Sequence, residues 1–308
     1  VVGAFAVAAA GAPLAAAAAV AAVGVLVAAV RLRGRWGLDW VRVWLRHRTR
    51  RSRPRAAWAR VRAVTGHLDR SGATFGVMTG DAVLGMVVAV HPAAGVPPME
   101  LLTASLDDRG VRLDAVQLVV RRGGRAGPDI RIALQLRPGD CPGAVLARGG
   151  GAEGARRALS AVTTRLTGRL GDHRYRTRVL DPAELNGLLA DAYPGKLVEH
   201  WDHCVIDGSR QVGYAITRWP ADLAGFLDAL GRMPTARTIA AVVATAGDRG
   251  PRLRGVVRVV EPPAPAPDGT ERGALAAVLS VAELYGAQLV RLDGEHGPAV
   301  ATTIPGAV

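Results

Sequence analysis

Hydrophobic and polar positions divide this chain into three stretches of different character. Residues 1–30 carry no charged side chain. One helix of that length would run about 45 Å at 1.5 Å per residue, longer than a hydrocarbon core of about 30 Å. Gly11-Ala12-Pro13 offers a break, and Pro13 suits the first turn of a new helix. Leu14–Val30 then reads as one short span, and residues 1–10 as the end of an earlier, truncated one. The pattern predicts an N-terminal transmembrane helix or hairpin. A signal peptide is disfavoured, because the basic residues follow the apolar run instead of preceding it.

The second stretch has helical period. Trp36, Trp40 and Trp44 recur at i, i+4 and i+8, which places them on one face of a helix over residues 36–48. Val41, Val43 and Leu45 widen that face, and Asp39, Arg42 and Arg46 cluster away from it. Residues 49–60, arginine-rich and holding Pro54, read as a linker.

The third stretch alternates. Thr74–Val90 predicts paired strands, and Asp114–Arg121 with Ile130–Arg137 two strands around the turn Gly123–Gly127. Ala152–Leu170 has helical spacing, and Arg174–Leu180 suits a strand. Asp181-Pro182 reads as N-cap and first helical residue. Leu197–Ile206 and Gln211–Arg218 flank the turn Asp207-Gly208-Ser209. Asp222–Leu230 is a short amphipathic helix, and Ile239–Ala246 and Leu253–Val260 are strands. A proline-rich loop, Pro262–Pro267, precedes a helix near Glu271–Tyr285. Ala287–Leu292 and Ala299–Thr303 then flank Asp293-Gly294 as a hairpin. Strands and helices mixed in this order predict an α/β or α+β domain. No internal repeat is visible. The expected organisation is transmembrane at 1–30, a basic Trp/Arg juxtamembrane helix and linker at 31–62, and a cytoplasmic mixed α/β domain at 63–308.

Charge sharpens the middle stretch. The chain carries 39 basic and 26 acidic residues, net +13, and Lys196 is its only lysine. Residues 31–62 hold twelve arginines against Asp39, so they supply +11 and leave the body nearly neutral. An arginine collar beside an apolar run points to the cytoplasmic side of a membrane, with anionic lipid headgroups as natural partners. Arginines and indole rings together suit the headgroup layer. Trp36, Trp40, Trp44, Arg31, Arg33, Arg35, Arg42 and Arg46 are the expected membrane or partner contacts. A nucleic-acid binder could be built from such a collar, but its position beside a bilayer favours lipid, and no nucleic acid is expected. Two cysteines, Cys141 and Cys204, with no CxxC pair, point to a reducing compartment.

Motifs for chemistry are weak. Gly149–Gly154 has GxGxxG form, but prolines 138 and 142 separate it from the preceding strand, and Glu153 stands where phosphate would sit. A P-loop is excluded because Leu197 follows the only lysine. Glu199–Cys204 concentrates ligand-type side chains; on one strand His200, Asp202 and Cys204 would share a face, short of a tetrahedral set. Asp293, Glu295 and His296 read first as a turn, and Asp107-Asp108 as a solvated one. There is no GxSxG elbow. No catalytic residue, cofactor or metal is expected.

The layout of apolar segment, RLRGRWGLDWVRVWLRHRTRRSR, and a body holding VEHWDHCVIDGSRQVGYAITRWP resembles the EccE family, a membrane component of the actinobacterial type VII (ESX) secretion system. The resemblance implies a non-catalytic subunit beside the ATPase and channel subunits of the secretion complex. It also implies a cytoplasmic domain similar to glycosyltransferase folds, without established activity. The rival expectation is a membrane-tethered glycosyltransferase-like or nucleotide-sugar-binding protein using Asp107-Asp108 or Asp293 and Glu295.

Overall fold

The computed structural model describes residues 16, 18–19, 21–22, 24–25, 30–32, 35–50, 61–68, 72–80, 82–91, 95–121, 128–192, 196–233, 237–261 and 270–306. The chain forms two compact units, Val1–Arg53 and Pro54–Val308.

In the first unit, the strands β1 (Arg31–Leu32) and β2 (Arg35–Trp36) form a two-stranded hairpin, which leads directly into helix α1 (Gly37–Arg50). Gly37 N–H donates to the Val30 carbonyl at 2.8 Å and closes the hairpin onto the helix start. The expected transmembrane helix or hairpin is corrected here: among the described residues no helix is long and apolar enough to cross a membrane. Freedom from charge is a weaker condition than a continuous helix of about 20 apolar residues. The described helical positions of that stretch lie between residues 16 and 25, and by Arg31 the chain is extended.

The second unit is built on one antiparallel sheet. Its strands are β3 (Val61–Leu68), β4 (Thr74–Gly80), β5 (Leu84–Val90), β8 (Ala115–Arg121), β9 (Asp129–Leu136), β10 (Thr177–Val179), β11 (Leu197–Glu199), β12 (Cys204–Ile206), β13 (Ser209–Arg218), β14 (Arg237–Thr245), β15 (Arg252–Val260) and β16 (Gln288–Arg291). The spatial order is β11-β12-β13-β15-β14-β8-β9-β5-β4-β3, with β10 added to β5 and β16 to β13. A ribbon of β6 (Asp107–Asp108) and β7 (Val111–Arg112) stands apart. The helices are α2 (Met99–Thr103), α3 (Pro142–Leu146), α4 (Gly151–Asp172), α5 (Pro182–Ala192), α6 (Leu223–Arg232), α7 (Thr270–Leu284) and α8 (His296–Thr302).

The glycosyltransferase-like expectation is corrected with the same observation. Every described strand pair is antiparallel. Open α/β sheets bind nucleotides outside the carboxyl ends of parallel strands, and this sheet offers none among the described residues.

The registers reveal a repeat that the sequence does not show. One row of paired residues crosses the sheet: Val179, Val88, Ile132, Leu118, Val242, Gly255, Ile216 and Leu289. Reading outward from the central Leu118–Val242 pair, both directions meet the same topology. Residues 61–192 run β3-β4-β5, α2, β8-β9, α4, β10, α5; residues 197–302 run β11-β12-β13, α6, β14-β15, α7, β16, α8. Because β8 and β14 pair antiparallel, the halves are related by an approximate two-fold axis through their seam. Among the described residues, the β6–β7 ribbon and α3 are insertions of the first half.

Both faces of the sheet are covered, as its near-continuous apolar strands require. Leu118, Ile132, Val88, Val242 and Ile216 meet α2, α4, α6 and α7 on one face, through Leu102, Leu159, Leu166, Phe226, Leu230 and Val278. On the other, Val87 and Ala133 meet Leu185 and Leu189 of α5, and Val256 meets Ala299 of α8.

Candidate functional site

The predicted contact residues lie on three elements of the first unit. Arg31 is on β1, Arg35 and Trp36 on β2, and Trp40, Arg42, Trp44 and Arg46 on α1, while Arg33 lies outside the described residues. Trp36 therefore precedes the helix, and the three-ring helical stripe becomes two helical rings and one on the hairpin. Trp36 and Trp44 are exposed and Trp40 half-buried. The Arg31 guanidinium stands 5.9 Å from the Trp36 ring centre and that of Arg48 5.3 Å from Trp44. Cations over indole faces lower the cost of holding so many arginines together.

The second unit brings together two segments read separately in the sequence. Leu197–Ile206 is not one strand: it folds back as β11 and β12, with His200–His203 as the turn between them. His200, Asp202 and Cys204 consequently do not share a strand face. Ala299–Thr303, expected as a strand, lies at the end of α8, so Asp293-Gly294 joins a strand to a helix. The two segments touch. Gly294 N–H donates to the Trp201 carbonyl at 2.6 Å, and Gly297 N–H to Glu199 Oε1 at 2.8 Å.

Around this contact lies a polar cluster. His203 Nδ1 hydrogen-bonds Asp202 Oδ1 at 2.9 Å and stacks on His200 with ring centres 4.5 Å apart. The bond from His203 holds the Asp202 carboxyl below the usual range, and Arg210 assists. Arg210 also pairs with the buried Glu261 at 2.9 Å. Arg291 pairs with the buried Asp293, and that hydrogen bond raises the arginine further. His296 is 1% exposed, and its Nδ1 accepts from Gly213 N–H at 3.0 Å. Its neutral ring therefore carries the proton on Nε2, which has no hydrogen-bond partner among the described residues. Burial pushes this imidazole down to about 4, against an opposing pull from Asp293. Gly213 is required at this contact, because a Cβ there would come within 2.8 Å of Ala299 Cβ. Burial raises the Cys204 thiol to about 12, far from a reactive thiolate.

This chemistry joins elements. Among the described residues no group of three or more His, Cys, Asp or Glu could hold a metal ion. Asp108, read as solvated, is 8% exposed and takes Arg165 at 2.8 Å and Arg169 at 3.8 Å, tying the β6–β7 ribbon to α4. In the GxGxxG stretch, Gly154 lets α4 pass close to the Val145 carbonyl, and Glu153 pairs with Arg156 and Arg157. The 3₁₀ turn Pro138–Asp140 and α3 separate α4 from β9, so no strand ends at this loop. Sequence reasoning missed Gln117. It is fully buried on β8, donates to the Thr302 and Ile304 carbonyls at 2.7 and 3.1 Å, and accepts from Gly306 N–H at 2.8 Å. A lone glutamine within the apolar run Ala115–Val120 was the available signal.

The second unit is thus a duplicated antiparallel sheet in which the buried carboxylates Asp108 and Glu261 pair with arginines of other elements. Residues 129–216 match the family described as "Putative type VII ESX secretion system translocon, EccE". The segment runs from the start of β9 into β13 and so crosses from the first half of the sheet into the second. It agrees with the resemblance read from the sequence, and it falls in the body, outside the Arg/Trp segment. That description names a place in a secretion translocon. No curated protein matches the chain.

Proposed function

We propose that this chain is a non-catalytic structural subunit of a type VII secretion membrane complex, stabilising the assembly beside its ATPase and channel subunits. The observation that carries this reading is the EccE family match over residues 129–216. The stapled sheet supports it, since two of its buried carboxylates, Asp108 and Glu261, are spent on ion pairs that join separate elements. The sheet domain works on the cytoplasmic side of the bacterial inner membrane, a reading supported by two buried free thiols, Cys141 and Cys204. Trp36, Trp40 and Trp44 with Arg31, Arg33, Arg35, Arg42 and Arg46 contact neighbouring subunits or anionic lipid.

A pull-down of the tagged full chain in mild detergent tests this. Co-migration with the secretion ATPase in a large complex is expected. Migration of the chain alone at its own size overturns the proposal.

A further inference from the structure

Helix α1 presents an apolar stripe that differs from the one predicted by tryptophan spacing. Leu38, Val41, Trp44 and Leu45 are 48%, 41%, 46% and 50% exposed. At 3.6 residues per turn these four positions fall on one side of the helix. Val43 and His47 fall on the opposite side and are 6% exposed each. The inward face is thus occupied, while four large apolar side chains stand in the open. Arg42 and Arg46 border the stripe along one flank, and Arg48 lies within it, over the Trp44 ring. The single acid of residues 31–62, Asp39, is paired with Arg42 at 3.6 Å.

We infer that α1 is an interfacial helix, lying in the plane of an anionic bilayer. Leu38, Val41, Trp44 and Leu45 enter the boundary between headgroups and acyl chains, and Arg42, Arg46 and Arg48 reach lipid phosphates. Charge complementarity decides the occupant. Residues 31–50 hold seven arginines and one aspartate, distributed along the whole length of the element. An anionic headgroup layer neutralises such a helix wherever each arginine reaches, whereas a protein groove would need a matching array of acids. Arginine stems pack along the apolar stripe while their guanidinium groups rise to the phosphates. No membrane-crossing segment is needed for this contact. The inference rests on the reading of the chain as part of a membrane assembly and names the surface by which it meets the lipid.

The test uses the full chain carrying an environment-sensitive fluorophore on Leu45→Cys, with Arg46→Cys as the comparison site. Cys141 and Cys204 are buried and leave labelling to the new thiol. On vesicles containing phosphatidylglycerol, the label at 45 shifts to the blue and is quenched by lipids brominated on their acyl chains. The label at 46 responds weakly. The double variant Val41→Glu/Leu45→Glu binds these vesicles about ten-fold more weakly, and salt weakens the unsubstituted chain's binding further. Equal responses at the two sites, no response at 45, or the same response on pure phosphatidylcholine overturns the inference. Shielding of the label at 45 in a delipidated complex with co-purified subunits also overturns it, by showing a protein on this face. Co-purification of the double variant with the complex, with vesicle binding lost, separates the lipid surface from the subunit role. Failure of the unsubstituted chain to co-purify ends the subunit reading and leaves the vesicle result to stand by itself.

Discussion

Two buried glutamines face the same side of the sheet and carry opposite expectations. Gln117 satisfies three backbone groups of the C-terminal segment, whereas both side-chain polar atoms of Gln135 lack partners among the described residues. Removing a partner from a buried polar group costs about 1–3 kcal/mol for each group left bare. Gln117→Leu should therefore lower the unfolding free energy by about 2–4 kcal/mol. Gln135→Leu should leave it unchanged or raise it by about 1 kcal/mol. Urea unfolding of the two variants measures the difference. His296 adds a pH dependence. Its folded-state value of about 4 lies below the 6.5 of a free imidazole, so the folded protein resists the proton that the unfolded chain accepts. Its stability contribution is complete above 6.5 and is lost as the pH falls through the interval down to about 4. The loss amounts to about 3 kcal/mol, since each tenfold drop in proton affinity on folding is worth about 1.4 kcal/mol. Urea midpoints across that interval should slope, and His296→Gln should flatten the slope.

Single elements show where local signals suffice. Asp181 caps α5 as its sequence predicts: Glu184 N–H donates to Asp181 Oδ1 at 2.8 Å, and Asp181 N–H to Glu184 Oε2 at 3.2 Å. That reciprocal pair is a capping box. Asp181→Ala should cost about 1 kcal/mol and loosen amide protection in the first turn of α5, measurable by hydrogen exchange. Asp222 does the same for α6 through Gly225 N–H at 2.8 Å. The paired strands of β4–β5, β8–β9 and β14–β15 were equally legible, since each is a short apolar run with a turn signal beside it. Reading failed where a segment's partner was remote. His200–His203 turns the chain between β11 and β12, and β12 pairs in turn with the start of β13. Ala299–Thr303 is apolar enough for a strand, but it winds into α8 because Gly213 leaves room for a helix against β13.

At the scale of the molecule, the two halves share one sheet and one seam. Leu118 and Val242 are fully buried at that seam, and seven residue pairs join β8 to β14. Damage there should be felt by both halves at once. Val242→Ala should cost about 2 kcal/mol, and hydrogen exchange should report equal loss of protection in β5 and β13. Loss confined to one half would mean that the halves open separately. The seam, which adjoins the start of the segment matched to the translocon family, is also the axis of the duplicated topology.

The sequence by itself determined the features that depend on near neighbours: strand and helix periods, the Asp181 cap, the Asp207-Gly208 turn and the concentration of arginine in residues 31–62. These signals act over a few residues, so each is readable in place. Only the tertiary structure decided what depends on distant pairing. It set the antiparallel pairing of every described strand and the two-fold repeat of the sheet, and it brought Glu199–His203 against Asp293–Gly297 across about ninety residues of chain. It also decided which apolar residues found cover: Val43 is buried, while Leu38, Val41 and Leu45 of the same helix remain in the open. Burial belongs to the assembled surface, and charge-free composition does not determine it, so the absence of charge in residues 1–30 gave no membrane-crossing helix among the described residues.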